Sequence, residues 1–413
     1  MSAQRSYLDW NATAPLRPEA RLAMLAALEE TGNPSSVHAE GRRARAIVER
    51  ARDQIAALVG AEPHNVIFTS GATEAATMAL TPQWSGAHPI ATFLVSAIEH
   101  PCVLAGGQFD ASATFPVAVT ASGVVDFVFL KQLLDLKEST VGAPLLALML
   151  ANNETGVIQP AAAAATLVHG AGGYLICDAV QAAGRIPIDL KSLGADALLL
   201  SAHKLGGPKG VGALVLAHEA RAPMPLIRGG GQERGHRAGT ENVAAIAGFG
   251  AAAKAAQADL VNMPRIARLR DRLEQAISIR KSARLLSNLL DIHGNEQRSS
   301  LNLSSPLQAE LPGRLANTTL ISLPGARAES LVIQLDLAGI AVSAGSACSS
   351  GKVKRSHVLD AMGVDPVIAE GTIRVSLGPT TTEADVDRFL SAWAEIAARH
   401  SGRAKHPEGG ATL

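Results

Sequence analysis

Apolar residues along this chain fall into two textures. Short unbroken apolar runs stop abruptly at polar clusters, and longer stretches between them show helical spacing. The runs Asn65–Thr69, Thr92–Ser96, Leu145–Leu150, Tyr174–Cys177 and Ala197–Leu200 read as buried strands. They lead in turn into Ser70-Gly71-Ala72-Thr73-Glu74, Glu99-His100-Pro101, Asn152-Asn153-Glu154-Thr155-Gly156, Asp178, and Ser201-Ala202-His203-Lys204. Among the helical stretches, Glu40 to Val59 places Ile47, Val48, Ala51, Ile55 and Leu58 on one face, with arginines and acids opposite. Arg17 to Glu29 also has helical spacing, and Ala161 to Ala165 reads as a helix start. Strands alternating with helices predict an α/β fold built on a mainly parallel, doubly wound sheet. In such sheets ligands bind beyond the carboxyl ends of the strands, where the polar clusters lie.

From about Val261 the texture changes. Pro264 to Ile279 is a charged amphipathic helix. Thr318–Ser322, Gly339–Ser343 and Ile373–Leu377 read as strands of a smaller α+β unit, and Glu383 to Arg399 is its closing helix. The expected division is a large domain over 16–260 and a small domain formed by 1–15 and 261–400. Residues 401–413, rich in glycine and charge, are expected to form a disordered tail.

Composition narrows the possibilities. At 413 residues and 47% apolar, the chain can bury a large core, and with 3% aromatic residues that core is mostly aliphatic. Lys plus Arg equals Asp plus Glu, 37 each, so no net basic field recruits nucleic acid or an anionic membrane. The start of the sequence has no apolar signal core, and no run approaches the length that spans a bilayer. Three irregularly spaced cysteines suggest neither a disulfide framework nor a zinc site. A cytoplasmic protein is expected. The Gly345–Lys352 stretch has one residue too many for a Walker loop, and no GxGxxG opens a helix.

The polar clusters carry the candidate chemistry. Asp178 and Lys204 end neighbouring runs and are expected to face one crevice. An enzyme that uses pyridoxal phosphate needs a lysine for the Schiff base and a carboxylate at the pyridine nitrogen. Taken alone, Asp178 equally fits a helix cap and Lys204 a solvated loop residue. Strand, Ser70-Gly71 turn and helix start form the arrangement that binds phosphate through free amides; the same residues fit an ordinary cap with Thr73 at its head. His100 can stack over a ring and move protons, or serve as a hydrogen-bonded structural residue. Asn152-Asn153 can orient a substrate, or simply make a turn.

The cysteines are expected to differ. Cys177 lies in a buried run and reads as a small core hydrophobe. Cys102 follows His100-Pro101 and lies close to the candidate site, with nothing to mark it as reactive. Cys348, in Ala344-Gly345-Ser346-Ala347-Cys348-Ser349-Ser350-Gly351-Lys352, sits among small residues that bury nothing. There it serves as nucleophile or sulfur carrier, unless it is an inert surface thiol.

These segments together resemble the pyridoxal-phosphate-dependent cysteine desulfurases of the class V aminotransferase family. The resemblance runs from Tyr7-Leu8-Asp9 to Arg374-Val375-Ser376-Leu377-Gly378 and includes Gly32-Asn33-Pro34-Ser35-Ser36 and Arg237-Ala238-Gly239-Thr240-Glu241-Asn242. The cysteine stretch is similar to the long-loop group, the nitrogen-fixation and iron–sulfur-cluster type; Ser356-His357-Val358-Leu359 resembles its nitrogen-fixation branch. The resemblance implies a fold type I enzyme with a seven-stranded sheet.

The resemblance also implies residue roles. Lys204 would form the Schiff base and shuttle protons, Asp178 would pair with the pyridine nitrogen, Gln181 would donate to the ring oxygen, and His100 would stack on the ring. Ala72, Thr73, Ser201 and His203 would hold the phosphate, joined by Thr240 from the second subunit of a homodimer. Asn153 and Arg374 would bind the carboxylate of L-cysteine. Cys348 would attack the substrate sulfur, become a persulfide and leave L-alanine. The persulfide would serve an iron–sulfur scaffold, nitrogenase assembly or another acceptor protein. No resident metal is implied, only a transient iron–sulfur contact at Cys348. A selenocysteine lyase or aminotransferase of the same fold is the nearest alternative, and a non-catalytic scaffold a more distant one; Cys348 argues against transamination, and Lys204, Asp178 and Cys348 argue against a scaffold. Trp10, and Asn317-Thr318-Thr319 in place of Pro-Asn-Thr, depart from the family pattern and are expected to leave the chemistry untouched.

Overall fold

The computed structural model describes residues 5–86, 88–137, 142–279, 283–286, 313–345 and 355–404. In chain order the strands are β1 (Ser6–Tyr7), β2 (Val66–Thr69), β3 (Ile90–Ser96), β4 (Thr114–Val117), β5 (Ala143–Met149), β6 (Tyr174–Asp178), β7 (Ala197–Ser201), β8 (Gly212–Leu216), β9 (Arg284–Leu285), β10 (Thr318–Ser322), β11 (Ile340–Ala341), β12 (Ser343–Ala344) and β13 (Thr372–Ser376). Seven of them form one sheet in the order β2-β8-β7-β6-β5-β3-β4. Every neighbouring pair is parallel except those made by β8, which runs antiparallel to both β2 and β7.

The unbroken apolar runs are explained by helices on both faces. Along the central strands alternate residues enter two different cores. Leu146, Leu148, Leu175, Cys177, Leu198 and Leu200 join one; Leu145, Ala147, Tyr174, Ile176, Ala197 and Leu199 join the other. A parallel sheet covered on both sides therefore shows no polar alternation. The helices Ala39–Val59, Ala161–Gly170 and Val243–Ala258 fill the first core, and Ala72–Ala79 the second. Val243–Ala258 is apolar but for Lys254 and Gln257, so it has little stripe to betray it in the sequence. At Gly250 an added Cβ would sit 2.5 Å from Ala51 Cα, so glycine lets this helix lie directly on Ala39–Val59.

A four-stranded antiparallel sheet, β12-β13-β10-β9, and the parallel pair β1-β11 make the second layer system. Its core gathers Leu8, Ile266, Leu273, Ile321, Leu331, Ile373, Val375, Phe389 and Trp393. The stretch expected as one strand, Gly339–Ser343, divides at Val342. Its first half pairs with β1 and its second with β13. The closing helix runs Glu383–Ala404, past the expected end at Arg399.

Candidate active site

The carboxyl ends of β2, β5, β6 and β7 and the segment after β3 open on one cavity of about 570 Å³. Asp178 is the last residue of β6 and is nearly buried. Its carboxylate accepts the Val180 amide at 2.9 Å. Burial pushes its pKa up to about 6, against that amide and the Lys204 charge. A carboxylate so placed is stabilised by a cationic N–H entering the cavity, and the pyridinium of pyridoxal phosphate supplies one. Lys204 follows β7 on the short turn Ala202–Lys204. Its Nζ donates to the carbonyls of Asn11 and Ala12 at 2.7 and 2.8 Å.

At the other end of the cavity Gly71 precedes the helix Ala72–Ala79, and a Cβ added there would meet nothing within 4 Å. The open space lies before first-turn amides, the geometry that receives phosphate. Thr73, Ser201 and His203 line the same region. His203 Nδ1 lies 3.2 Å from Thr13 Oγ1, and burial first, then Lys204 and Lys209, lowers its pKa to about 4. His100 also faces the cavity. Burial, then the charges of Lys204 and His357, lowers its pKa to about 4, so the ring is neutral at ordinary pH.

Arg374, from β13, is 1% exposed and reaches the cavity wall. It donates to Asp9 Oδ1 at 2.9 Å and to the Asn153 carbonyl at 3.0 Å, while its Nε finds no partner among the described residues. An unpaired buried N–H is costly. Asn153 lines the cavity beside it.

The comparisons with known proteins agree with this geometry. Residues 6–389 match the family described as Aminotransferase class-V. A curated cysteine desulfurase of Cereibacter sphaeroides is 42% identical over 94% of this chain and 94% of that protein. The cysteine desulfurase IscS of Dictyoglomus turgidum is 39% identical over 93% and 92%. The solved NifS-like protein of Rickettsia africae superposes with a TM-score of 0.80 at 32% identity, covering 96% of this chain and all of that one.

The chain belongs to the cysteine desulfurases of the class-V aminotransferase family. Enzymes of this family are generally pyridoxal-phosphate dependent, and its desulfurases act on L-cysteine. Among the described residues no group of three or more His, Cys, Asp or Glu is placed to hold a metal, and no helix is long and apolar enough to cross a membrane.

Of the residues to which the sequence gives a role in this desulfurase fold, the structure brings Ala72, Thr73, His100, Asn153, Asp178, Gln181, Ser201, His203, Lys204 and Arg374 to one cavity. Thr240 is exposed and does not line it. Cys348 lies outside the described residues. Its flanks are described, and both meet Glu154, a buried side chain on the same turn as Asn153. Ser356 Oγ donates to Glu154 Oε2, and an added Cβ at Gly345 would sit 3.5 Å from the same oxygen. Burial raises the Glu154 pKa to about 7, opposed by Ser356 and Arg374.

Sequence reasoning missed the importance of Tyr7–Thr13. Asn11 is fully buried. Its carbonyl accepts from Lys204 Nζ and from Gln181 Nε2 at 3.0 Å. Its side chain donates to the Asn153 carbonyl at 3.1 Å and to Thr318 Oγ1 at 2.9 Å, and accepts from Asn317 Nδ2 at 3.0 Å. Asn317, one of the departures from the family pattern, is thus one hydrogen bond from the residue that holds the lysine. The signal available was a polar pair, Asp9 and Asn11, flanking Trp10 in an otherwise short extended segment.

Proposed function

We propose that this protein is a pyridoxal-phosphate-dependent cysteine desulfurase that converts L-cysteine to L-alanine and takes the sulfur on Cys348 as a persulfide. The observation that carries the reading is the cavity that Lys204 shares with buried Asp178 and Arg374, beside the chain segment from which Cys348 departs. When bound, the cofactor supplies an electron sink at the substrate α-carbon. Asp178 holds the pyridinium proton, Gln181 donates to the ring oxygen, and the amides at Ala72 with Thr73, Ser201 and His203 take the phosphate. Arg374 and Asn153 fix the substrate carboxylate, which sets the orientation of the substrate sulfur. Lys204 and neutral His100 move protons at the reacting centre. The Cys348 thiolate attacks the substrate sulfur, so one S–S bond forms as the C–S bond breaks, and the alanine carbon gains a proton.

The active unit in this reading is a homodimer in which Thr240 of the partner subunit completes the phosphate site. Its exposure on the chain that bears it supports that assignment. The persulfide passes to an iron–sulfur scaffold, a nitrogenase-dedicated one included, or to another acceptor protein. A thiol that cycles through persulfide belongs in a reducing compartment, the cytoplasm.

The test compares wild type with Cys348→Ser and Lys204→Ala. Cys348→Ser is expected to keep the visible absorbance of bound cofactor, to release almost no alanine, and to show no added sulfur by mass spectrometry. Lys204→Ala is expected to lose turnover altogether. Wild-type alanine release by either variant overturns the reading.

A further inference from the structure

Cys102 was read from sequence as a thiol near the site without a role, and the mechanism above does not use it. Its position is more specific. Both Cys102 and His100 line the cavity. His100 caps the short helix Pro101–Leu104, and its Nδ1 receives the Cys102 backbone N–H at 3.3 Å. The Cys102 sulfur lies 3.0 Å from the same nitrogen.

The amide settles the direction of these bonds. A backbone N–H has only a proton to offer, so Nδ1 must present its lone pair. A neutral imidazole with an acceptor Nδ1 carries its proton on Nε2. The thiol then has one compatible role toward that nitrogen, as an S–H donor to Nδ1. The protonation states agree. Burial, then the charges of Asp178 and Glu99, pushes the Cys102 thiol up to about 12. Burial, Lys204 and His357 keep His100 neutral.

We infer that Cys102 is a positioning residue for His100: its amide and thiol together occupy Nδ1 and fix the ring as the Nε2–H tautomer. The inference rests on the desulfurase reading for its functional meaning, since it makes Nε2 the atom at which His100 exchanges a proton during turnover. It also gives Cys102 a reason to stay protonated and unreactive beside a sulfur-transferring centre.

The test is imidazole nitrogen–proton correlation spectroscopy on cofactor-loaded enzyme labelled with nitrogen-15 histidine, with His100 assigned by His100→Gln. Wild type is expected to show an unprotonated Nδ1 and a protonated Nε2 between pH 6 and 8. Cys102→Ala removes the thiol donor and leaves only the long amide contact. Its His100 is expected to titrate about one pH unit higher or more, because a competing donor and some desolvation are both relieved. The acid limb of kcat/KM for alanine release is expected to move the same way. Cys102→Ser keeps an O–H donor and is expected to restore both readouts. A protonated Nδ1 in wild type overturns the inference, and so does a Cys102→Ala variant whose His100 titrates as wild type, since Cys102 would then only fill space. The Nε2–H tautomer in an enzyme that releases no alanine overturns the desulfurase reading and leaves the tautomer assignment intact.

Discussion

Replacing Glu154 by Gln should change how stability depends on pH. Glu154 is 3% exposed, and burial raises its carboxyl from 4.5 to about 7 in the folded chain. The folded state therefore binds a proton that the unfolded state has released. Stability from this group is fully present below about pH 4.5 and declines as pH rises through 7. At about 1.4 kcal/mol per unit, the whole decline is about 3 kcal/mol. Gln keeps an acceptor for Ser356 and cannot ionise, so the variant should lose this dependence. The assay is urea denaturation of wild type and Glu154→Gln at closely spaced pH values from 4.5 to 8.5. The difference between the two curves should grow with pH in favour of the variant, by about 3 kcal/mol at the alkaline end. Parallel curves across that range would refute the raised carboxyl, and with it the picture of a neutral acid joining Ser356 and Gly345 to the Asn153 turn.

Three further outcomes follow from named contacts. Asp9→Asn removes the carboxylate that pairs with Arg374; an unfolding free energy lowered by about 2 kcal/mol, with KM for L-cysteine raised more than kcat falls, is expected from urea titration and steady-state kinetics. At Gly378 an added Cβ would lie 1.9 Å from Trp10 Cδ2, so Gly378→Ala should cost about 1–3 kcal/mol or more, while Trp10→Ala with Gly378→Ala should melt no lower than Trp10→Ala alone. Arg52 and Glu233 form a buried pair at 2.8 Å, with Glu233 also accepting the Phe68 amide; Glu233→Gln should destabilise by about 3–5 kcal/mol, and replacing both by Met should recover part of that loss.

The strands that carry the site were readable because each is a short apolar run ending in polar residues, which is how a doubly covered sheet presents itself. β4 and β8 were not. β4 contains Pro116 and is a part-exposed edge strand, as proline in a sheet requires. β8 begins at Gly212, at the end of Gly206-Gly207-Pro208-Lys209-Gly210-Val211, whose glycines and proline mark turns and not a strand. In the site, Asp178 and Lys204 were legible as strand-end residues. Asp9, Asn11 and Glu154 were not, because their importance comes from partners far along the chain: Arg374, Thr318 and Ser356. No local pattern encodes such pairings. Glu99 shows the same limit. It adjoins His100 in sequence, yet only the fold shows it fully buried, one oxygen held by the Met149 amide at 2.6 Å and the other without a partner among the described residues.

The segment from Ser6 to Thr13 has a consequence for the timing of assembly. Asn11 N–H donates to Ser376 Oγ, a residue 365 positions later. At ribosomal rates of about 5–20 residues per second, that partner emerges roughly 20 to 70 seconds afterwards. Until then Asn11 lacks its groove, and the carbonyls that cradle the Lys204 ammonium have no fixed place. A chain that stops short of β13 contains every strand of the seven-stranded sheet, with Lys204 and Asp178, yet lacks both Arg374 and the frame that aims the lysine. The frame around the lysine is thus complete only once the last strand, β13, has been made.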